Sequence, residues 1–257
     1  MDEPVLLTGA AGRVGTAIRE GIGEQYDFRL LDREPPADSV DHPLFIGDIT
    51  DRETLEEAME GAEVVVHLAG DPRTDAPWES VLRNNIDGTQ TIFEVAVEVG
   101  VEKVIFASSN HAVGHYETDR EPDLYQAEDE FQIDGSELPR PSNLYGVSKA
   151  TGEILGRYYH DEYGLSVLNV RIGNLTKEHP PRNYERGQAM WLSHRDCAHL
   201  FDRAIQAEYD FEIVYGISDN DRKFYSIDRA RDVLDYEPRD NSGEYTLAGD
   251  PKGGGEL

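Results

Sequence analysis

Tyr145 and Lys149 lie four residues apart near the start of a predicted helix, so both side chains project from one helical face. A tyrosine with a pKa of about 10 is a poor base at neutral pH, but a lysine ammonium nearby favours the phenolate. A phenolate can accept the proton of a substrate hydroxyl. Ser108 and Ser109 end an earlier predicted strand, where a hydroxyl can hold the reacting oxygen. Because a Tyr-x-x-x-Lys pair occurs by chance in many helices, its interpretation depends on the surrounding motifs.

A glycine-rich turn follows the first predicted strand and opens the first helix, in the run Thr8-Gly9-Ala10-Ala11-Gly12-Arg13-Val14-Gly15. Small residues let the backbone approach a pyrophosphate, and the helix N-terminus supplies free N–H groups and a favourable dipole. Asp32 ends the second predicted strand, where a carboxylate can accept hydrogen bonds from an adenosine ribose and repel the extra phosphate of NADP. The fingerprint predicts NAD as the cofactor, although Arg33 leaves NADP as an alternative.

Two further strand ends carry residues that a dinucleotide site would use. Asp48 and Ile49 follow the third predicted strand, at the expected position of the adenine ring. Leu68, Ala69 and Gly70 follow the fourth strand and would bring small backbone against the middle of the cofactor. Each segment alone is typical of a turn. Together they lie at the carboxyl ends of successive strands, where open parallel sheets bind their ligands.

The elements that must position these residues follow a repeated pattern of short apolar runs and segments of helical period. It predicts strands at about 5–8, 28–31, 44–46, 64–68, 101–107, 166–171 and 211–215, and helices at about 13–21, 51–60, 78–99, 143–163 and 193–207. This order predicts an α/β fold, a Rossmann-like doubly wound parallel sheet in a single domain spanning 1–257. The polar segment 117–141 is predicted to be a long loop. We interpret residues from about 174 onward as a small C-terminal substrate cap.

The charge of the chain excludes several classes of protein. The 257 residues include 24 Lys plus Arg and 52 Asp plus Glu, for a net charge of −28, which would repel nucleic acid and anionic lipid. Such an acidic surface indicates a salt-rich host, where charge is strongly screened, although an ordinary acidic protein is the alternative. A single cysteine, Cys197, excludes a disulfide framework, and no apolar run approaches the roughly 18 residues that span a bilayer. We therefore expect a cytoplasmic protein without a metal site.

Five runs carry a resemblance to known enzymes: SSNHAVG at 108–114, RPSNLYGVSK at 140–149, VRIGN at 170–174, NYERGQAMW at 183–191 and VYGISDNDRK at 214–223. Over nearly its whole length the chain resembles the extended branch of the short-chain dehydrogenase/reductase superfamily. The first three runs are similar to uronate dehydrogenases, which oxidise C1 of a pyranose to a lactone. The last two more closely resemble the NAD-dependent glucose-6-phosphate dehydrogenases of haloarchaea. Relatives commonly pair through the helices that contain Asn85 and Tyr145, so the resemblance also implies a homo-oligomer.

The resemblance implies roles for individual residues of this chain. Ser109, Tyr145 and Lys149 would be catalytic, and Asn85 would organise the lysine and its water. The residues expected to contact the sugar are Asn110, His111, Asn174 and Arg186, although His111 could instead be an ordinary loop histidine. The expected cofactor-binding set is Gly9, Ala11, Gly12, Arg13, Val14, Gly15, Asp32, Asp48, Ile49, Leu68, Ala69, Gly70, Asn85, Tyr145, Lys149 and Ile172.

Both candidate substrates are pyranoses with an anionic group at C6, so the site must present cations. Arg73 follows the fourth predicted strand, and Arg182 and Arg186 follow the sixth. A guanidinium binds carboxylate or phosphate through paired hydrogen bonds, and a phosphate with nearly two charges favours two or three such donors. Alternatively, Arg73 and Arg182 only pair with neighbouring carboxylates.

We therefore predict oxidation of glucose 6-phosphate at C1 to 6-phosphogluconolactone. Oxidation of a uronate is the main alternative. A nucleotide-sugar epimerase is disfavoured by the short C-terminal part of the chain, and an NAD-sensing protein without activity is disfavoured by the complete set of Ser109, Tyr145 and Lys149.

Overall fold

A seven-stranded parallel sheet forms the centre of the computed structural model, which describes residues 4–38, 41–121, 123–125, 131–177, 179–181 and 185–245. Its strands are β1 (Val5–Thr8), β2 (Phe28–Asp32), β3 (Leu44–Ile46), β4 (Val64–His67), β5 (Lys103–Ser109), β6 (Ser166–Ile172) and β9 (Phe211–Gly216). The order is β3-β2-β1-β4-β5-β6-β9, and every neighbouring pair is parallel. The strand order reverses between β1 and β4. This topology confirms the predicted Rossmann-like doubly wound sheet.

The described helices are α1 (Arg13–Ile22), α2 (Arg52–Met59), α3 (Trp78–Val81), α4 (Gly88–Val99), α5 (Gly114–Thr118), α6 (Leu144–Tyr163), α7 (Glu185–Ala189), α8 (His194–Gln206) and α9 (Asp228–Leu234). Of these, α1, α8 and α9 cover one face of the sheet, and α2, α4 and α6 cover the other. Side chains alternate along β1, so Val5 and Leu7 pack with α1 and α8, whereas Leu6 packs with α2, α4 and α6. The sheet is therefore buried on both faces, which explains why its strands are continuous apolar runs.

The predicted single helix at 78–99 is interrupted. A π-helical turn at Leu82–Asp87 separates α3 from α4. Within this turn Asn85 is buried, and both polar atoms of its side chain bond to the backbone of Asp71. A π-turn re-aims one side chain without ending the helix, and such turns often occur at functional sites. The hydrophobic period alone does not reveal this extra residue in the turn.

The long helix predicted at 143–163 begins at Leu144, because Asn143 is its N-cap and accepts a hydrogen bond from the Gly146 N–H at 2.7 Å. The predicted loop 117–141 begins inside α5 and includes a single parallel bridge between Ile133 and Tyr225. Residues 122 and 126–130 of that segment lie outside the described residues.

After Gly173 the chain contributes to two parts of the molecule. β7 (Asn174–Thr176) and β8 (Trp191–Ser193) form a separate two-stranded parallel sheet, while β9 extends the main sheet and α8 packs on α1. A third apolar cluster lies beside the carboxyl ends of β5 and β6 and contains Val113, Leu124, Tyr125, Ile133, Met190, Tyr215, Ile217, Phe224 and Tyr225. Segments before and after residue 174 thus share one small core. Among the described helices, none has the length and apolarity that crossing a membrane requires.

Candidate active site

The two serines that end β5 have different partners because alternate side chains of a strand face opposite sides. The Ser108 hydroxyl donates to the buried carboxylate of Glu153 at 2.6 Å. The Ser109 hydroxyl accepts the His111 N–H at 3.2 Å and shares a hydrogen bond with Tyr145. The structure therefore distinguishes between the two predicted hydroxyls, and Ser109 is the one beside Tyr145.

Tyr145 and Lys149 occupy the first turns of α6, where Lys149 is buried and Tyr145 is partly buried. The Lys149 ammonium donates to the Ala107 carbonyl at 2.8 Å and lies 5.6 Å from the centre of the Tyr145 ring. Burial lowers the pKa of Lys149 to about 8. Burial raises the pKa of Tyr145 to about 12, although the hydrogen bond with Ser109 acts in the opposite direction. The phenol needs a nearby positive charge to ionise at neutral pH, and the Lys149 ammonium is placed to supply one.

Asn85 contacts helix α6 through the side chain of Ser148. Its side-chain nitrogen donates to the Ser148 hydroxyl at 3.0 Å, and that hydroxyl donates to the Tyr145 carbonyl at 2.7 Å. The side-chain oxygen of Asn85 accepts the Asp71 N–H at 2.7 Å. Asn85 thus connects the loop after β4 to the helix of Tyr145, one residue away from its predicted partner Lys149.

The glycine-rich turn has the geometry of an anion site. Gly9 has a φ of +69°, and a Cβ at this position would lie 2.7 Å from the Ala69 nitrogen. A Cβ at Gly15 would lie 2.6 Å from the Gly9 carbonyl oxygen. Gly12 is the N-cap of α1, so no side chain caps the helix, and no acidic residue is present in its first turn. These features fit a pyrophosphate bound by the backbone at Arg13 and Val14.

The predicted ribose carboxylate lies at the edge of this turn. Asp32 accepts the Ala11 N–H at 2.9 Å with one oxygen and the Arg33 N–H at 2.7 Å with the other. Each carboxylate oxygen can accept a further hydrogen bond, so the geometry fits a ribose diol.

The other predicted cofactor residues follow the same carboxyl edge. Asp48 accepts hydrogen bonds from the backbone and hydroxyl of Thr50, and buried Ile49 fills the space beside Gly88. The N–H groups of Leu68 and Ala69 bond to the Thr8 hydroxyl at 3.2 and 3.3 Å. Two residues lie nearer to the predicted catalytic residues: Gly70 beside Asn85, and Ile172 opposite Ser109 on β6.

Arg186 approaches the end of β5 from α7. Its side chain is partly buried and pairs with Glu117 through two hydrogen bonds, Nε to Oε1 and Nη2 to Oε2, the latter at 3.0 Å. Burial opposes its charge, but the Glu117 carboxylate outweighs this effect and raises the pKa of Arg186. In the amide orientation that satisfies both groups, Asn110 accepts from Nη2 of Arg186 and donates to the Ile172 carbonyl, each at 3.2 Å.

His111 lies beside the same group of residues. Its ring packs edge-on against Tyr145 with the ring centres 5.8 Å apart, and its Nδ1 lies 3.1 Å from the Asn143 side-chain nitrogen. Burial, with a contribution from Arg186, lowers the pKa of His111 to about 4, so the ring is neutral at physiological pH. The structure therefore brings Asn110, His111 and Arg186 together around Ser109 and Tyr145.

The three other predicted substrate residues differ from this group. Asn174 begins β7, and its N–H donates to the Met190 carbonyl at 2.8 Å. Arg73 is mostly exposed and binds the carboxylate of Asp71 with two nitrogens, at 2.9 and 2.6 Å. This contact lowers the pKa of Asp71, so the charge of Arg73 is already paired within its own loop. Arg182 lies outside the described residues.

Sequence reasoning missed Glu117, which is buried, binds Arg186 and accepts a hydrogen bond from the Tyr125 hydroxyl. It belongs to the polar segment interpreted as a loop, where no period distinguishes a buried carboxylate from an exposed one. The nearest signal is its position shortly after the SSNHAVG run, on the chain that leaves the end of β5.

Comparison with known proteins places these features in a family. The model of the NAD dependent epimerase/dehydratase family matches residues 5–213. The chain is 67% identical to the NAD-dependent glucose-6-phosphate dehydrogenase of Haloferax volcanii, over 98% of each protein, and 38% identical to the L-arabinose 1-dehydrogenase (NAD(P)(+)) of the same organism, over 93% of this chain and 97% of that one.

A solved structure is also similar. A mutant of uronate dehydrogenase from Agrobacterium tumefaciens, complexed with NAD, matches with a TM-score of 0.82 and 30% identity, over 97% of this chain and 92% of that one. These findings confirm the predicted resemblance to haloarchaeal glucose-6-phosphate dehydrogenases and to uronate dehydrogenases. The chain belongs to the NAD-dependent epimerase/dehydratase family.

Proposed function

We propose that this protein is an NAD-dependent dehydrogenase that oxidises glucose 6-phosphate at C1 to 6-phosphogluconolactone. The choice of substrate rests on the 67% identity, over 98% of each protein, to the NAD-dependent glucose-6-phosphate dehydrogenase of Haloferax volcanii. The grouping of Ser109, Tyr145 and Lys149 at the carboxyl edge of the sheet supports the class of reaction.

In the proposed reaction, Ser109 and Tyr145 hold the C1 hydroxyl of the sugar. Tyr145 accepts the hydroxyl proton, and Lys149 stabilises the phenolate by its positive charge. The sugar loses this proton and a hydride from C1, which leaves the lactone. NAD supplies the hydride acceptor when it is bound. Asn85 and Ser148 hold the first turns of α6 so that Tyr145 faces Ser109.

NAD is the cofactor that the residues of this chain fit. Gly9, Gly12 and Gly15 leave room for a pyrophosphate at the start of α1, and Asp32 presents carboxylate oxygens at the edge of that turn. A 2′-phosphate at the same place would meet this negative charge. Arg33 is exposed beside Asp32 and is the one feature at that position that favours NADP.

Arg186 is the cation that we propose for contact with the substrate, together with Asn110 and His111. Glu117 already compensates its charge, so a phosphate with nearly two charges needs further donors, for which Arg182 and Arg73 remain the proposed residues. Among the described residues, one arginine, the partly buried Arg186, approaches Asn110, and a single guanidinium matches a carboxylate. That observation favours uronate as the second candidate substrate.

We also propose that the protein forms homo-oligomers through α6. This helix exposes large apolar side chains, with Ile154, Tyr158 and Tyr163 at 63%, 50% and 56% of their full accessible area. Pairing with a second copy would remove this surface from water.

A cytoplasmic location remains part of the proposal and is supported by the single cysteine and the use of NAD.

The test is NADH formation in about 2 M KCl, because at about 1 M salt the Debye length is already only about 3 Å and the acidic surface is screened. Glucose 6-phosphate, glucuronate and glucose are compared, first with NAD and then with NADP. We expect the highest kcat/KM for glucose 6-phosphate with NAD. Turnover of glucuronate alone would replace the proposed substrate, and absence of NADH with every sugar would contradict the dehydrogenase itself.

A further inference from the structure

His67 ends β4 and is completely buried between two threonine hydroxyls. Its Nδ1 lies 2.9 Å from the Thr8 hydroxyl, and its Nε2 lies 3.0 Å from the Thr89 hydroxyl. Burial lowers the pKa of His67 to about 3, with a smaller contribution from Lys149, so the ring is neutral at physiological pH. A neutral imidazole has one donor and one acceptor nitrogen, and each has a partner here.

The hydrogen bonds of Thr8 determine which ring nitrogen carries the proton. The Thr8 hydroxyl oxygen accepts the N–H groups of Leu68 and Ala69, at 3.2 and 3.3 Å. Two accepted bonds occupy both lone pairs of a hydroxyl, so its own hydrogen is left to donate to Nδ1 of His67. The proton of the ring is therefore on Nε2, which donates to Thr89.

These bonds connect two parts of the candidate active site. Thr8 immediately precedes Gly9, whose backbone touches Ala69 so closely that a Cβ there would lie 2.7 Å from the Ala69 nitrogen. Thr89 lies in the first turn of α4, one turn after Asn85, which bonds to Ser148 on the helix of Tyr145. His67 is thus a rigid connection between the cofactor turn and the π-turn that positions the catalytic helix.

We propose that His67 is a positioning residue that fixes the cofactor turn relative to the Asn85 turn, and thereby aligns the nicotinamide with the sugar carbon. The inference rests on the proposed NAD-dependent reaction. His67 itself touches neither substrate nor cofactor, and its effect passes through the backbone of Leu68 and Ala69 and through Thr89. Loss of either hydrogen bond is expected to loosen one side of this connection.

The sharpest variant is Thr89→Val, which keeps the side-chain volume and removes the acceptor of the Nε2 proton. Thr91→Val is the matched control, because Thr91 lies on the same helix and its hydroxyl donates to the Asp87 carbonyl at an exposed position. For Thr89→Val we expect the KM for NAD to rise about tenfold and kcat to fall, with the KM for the sugar unchanged. Thr91→Val should leave all three constants unchanged.

Two substitutions of His67 extend the test. His67→Gln can still donate to Thr89, so it should retain more activity than His67→Leu, which can neither donate to Thr89 nor accept from Thr8. Because the ring does not titrate near neutral pH, the pH profile of kcat should keep its shape in all folded variants. A general loss of packing would instead change the two KM values together and follow the melting temperature.

The affinity for NAD measured by calorimetry without sugar separates this inference from the assignment of the substrate. If the wild type binds NAD but oxidises another sugar, the expected weakening in Thr89→Val stands and the substrate assignment fails. If Thr89→Val and His67→Leu bind NAD as tightly as the wild type and keep its kcat, His67 has no positioning role.

Discussion

The cofactor half and the substrate half of the candidate active site use different kinds of chemical groups. The cofactor half, around Gly9 and Gly15, consists of backbone groups and small side chains, with Asp32 as the charged group at the edge of the glycine turn. The substrate half depends on the ion pair between partly buried Arg186 and buried Glu117. The first kind of site is set by local spacing in one short run of sequence. The second joins residues far apart in the chain, since Arg186 and Glu117 are 69 positions apart.

The largest expected effect lies where the two halves meet. Tyr145→Phe removes the proposed proton acceptor and preserves the ring that packs on His111, so neither half should change its structure. We expect kcat to fall roughly 10²–10⁴-fold, the range for loss of a general base, with the affinity for NAD unchanged. Steady-state kinetics and calorimetry measure the two quantities.

Tyr26→Phe is the control, because it removes a hydroxyl bonded to Asp202 at 2.7 Å, far from this site in the fold. It should leave kcat unchanged. Near-normal turnover by Tyr145→Phe would mean that the proton goes to another group, and the proposed chemistry would have to be abandoned.

A second prediction concerns the ion pair of the substrate half. Glu117→Gln keeps the shape of the side chain and leaves the partly buried guanidinium of Arg186 without its counter-charge. Removal of one partner from a fully buried pair costs about 3–5 kcal/mol; because water still reaches the Arg186 side chain, we expect the free energy of unfolding to fall by about 3 kcal/mol, the lower end of that range. Urea denaturation at constant salt measures the change.

Glu121→Gln is matched to it, since Glu121 also contacts the Tyr125 hydroxyl but is exposed. It should cost less than about 1 kcal/mol. Glucose 6-phosphate should restore part of the stability of Glu117→Gln, because an anion that binds only the folded state stabilises it. Equal denaturation midpoints for the two variants would show that Arg186 does not depend on Glu117 for compensation.

The same contrast explains how much the sequence could predict. The parallel sheet, the glycine turn, Asp32 and the Tyr145–Lys149 pair follow from local spacing and from the period of apolar residues. Strand alternation could also have separated Ser108 from Ser109, had the buried partner Glu153 been considered. The sequence pattern could not predict Glu117 because its contact is with Arg186 of α7, on a distant part of the chain.

Asn85 shows the same limit inside the helical segment predicted at 78–99. The residue was identified by resemblance, but the π-turn that directs it toward Asp71 and Ser148 adds a residue to one helical turn, and the apolar period continues on both sides of it. Periodicity predicts which face of a helix is buried. It does not predict which side chain leaves the helix to bind a neighbouring loop.

The smallest expected effect lies in the cofactor half, where the carboxylate of Asp32 accepts hydrogen bonds from the backbone N–H groups of Ala11 and Arg33. Asp32→Asn retains an acceptor for the Ala11 N–H at 2.9 Å but loses the negative charge that opposes a 2′-phosphate. A hydrogen bond to a charged group contributes about 1.5–3 kcal/mol, so we expect the KM for NAD to rise roughly tenfold to a hundredfold and NADP to become a usable cofactor. Glu34→Gln, with the same loss of charge at an exposed position two residues later, should leave both cofactors unchanged. If Asp32→Asn instead cost as much stability as Glu117→Gln, the carboxylate would be a structural anchor of the glycine turn. The two halves would then both depend on buried charge, and the contrast between them would be lost.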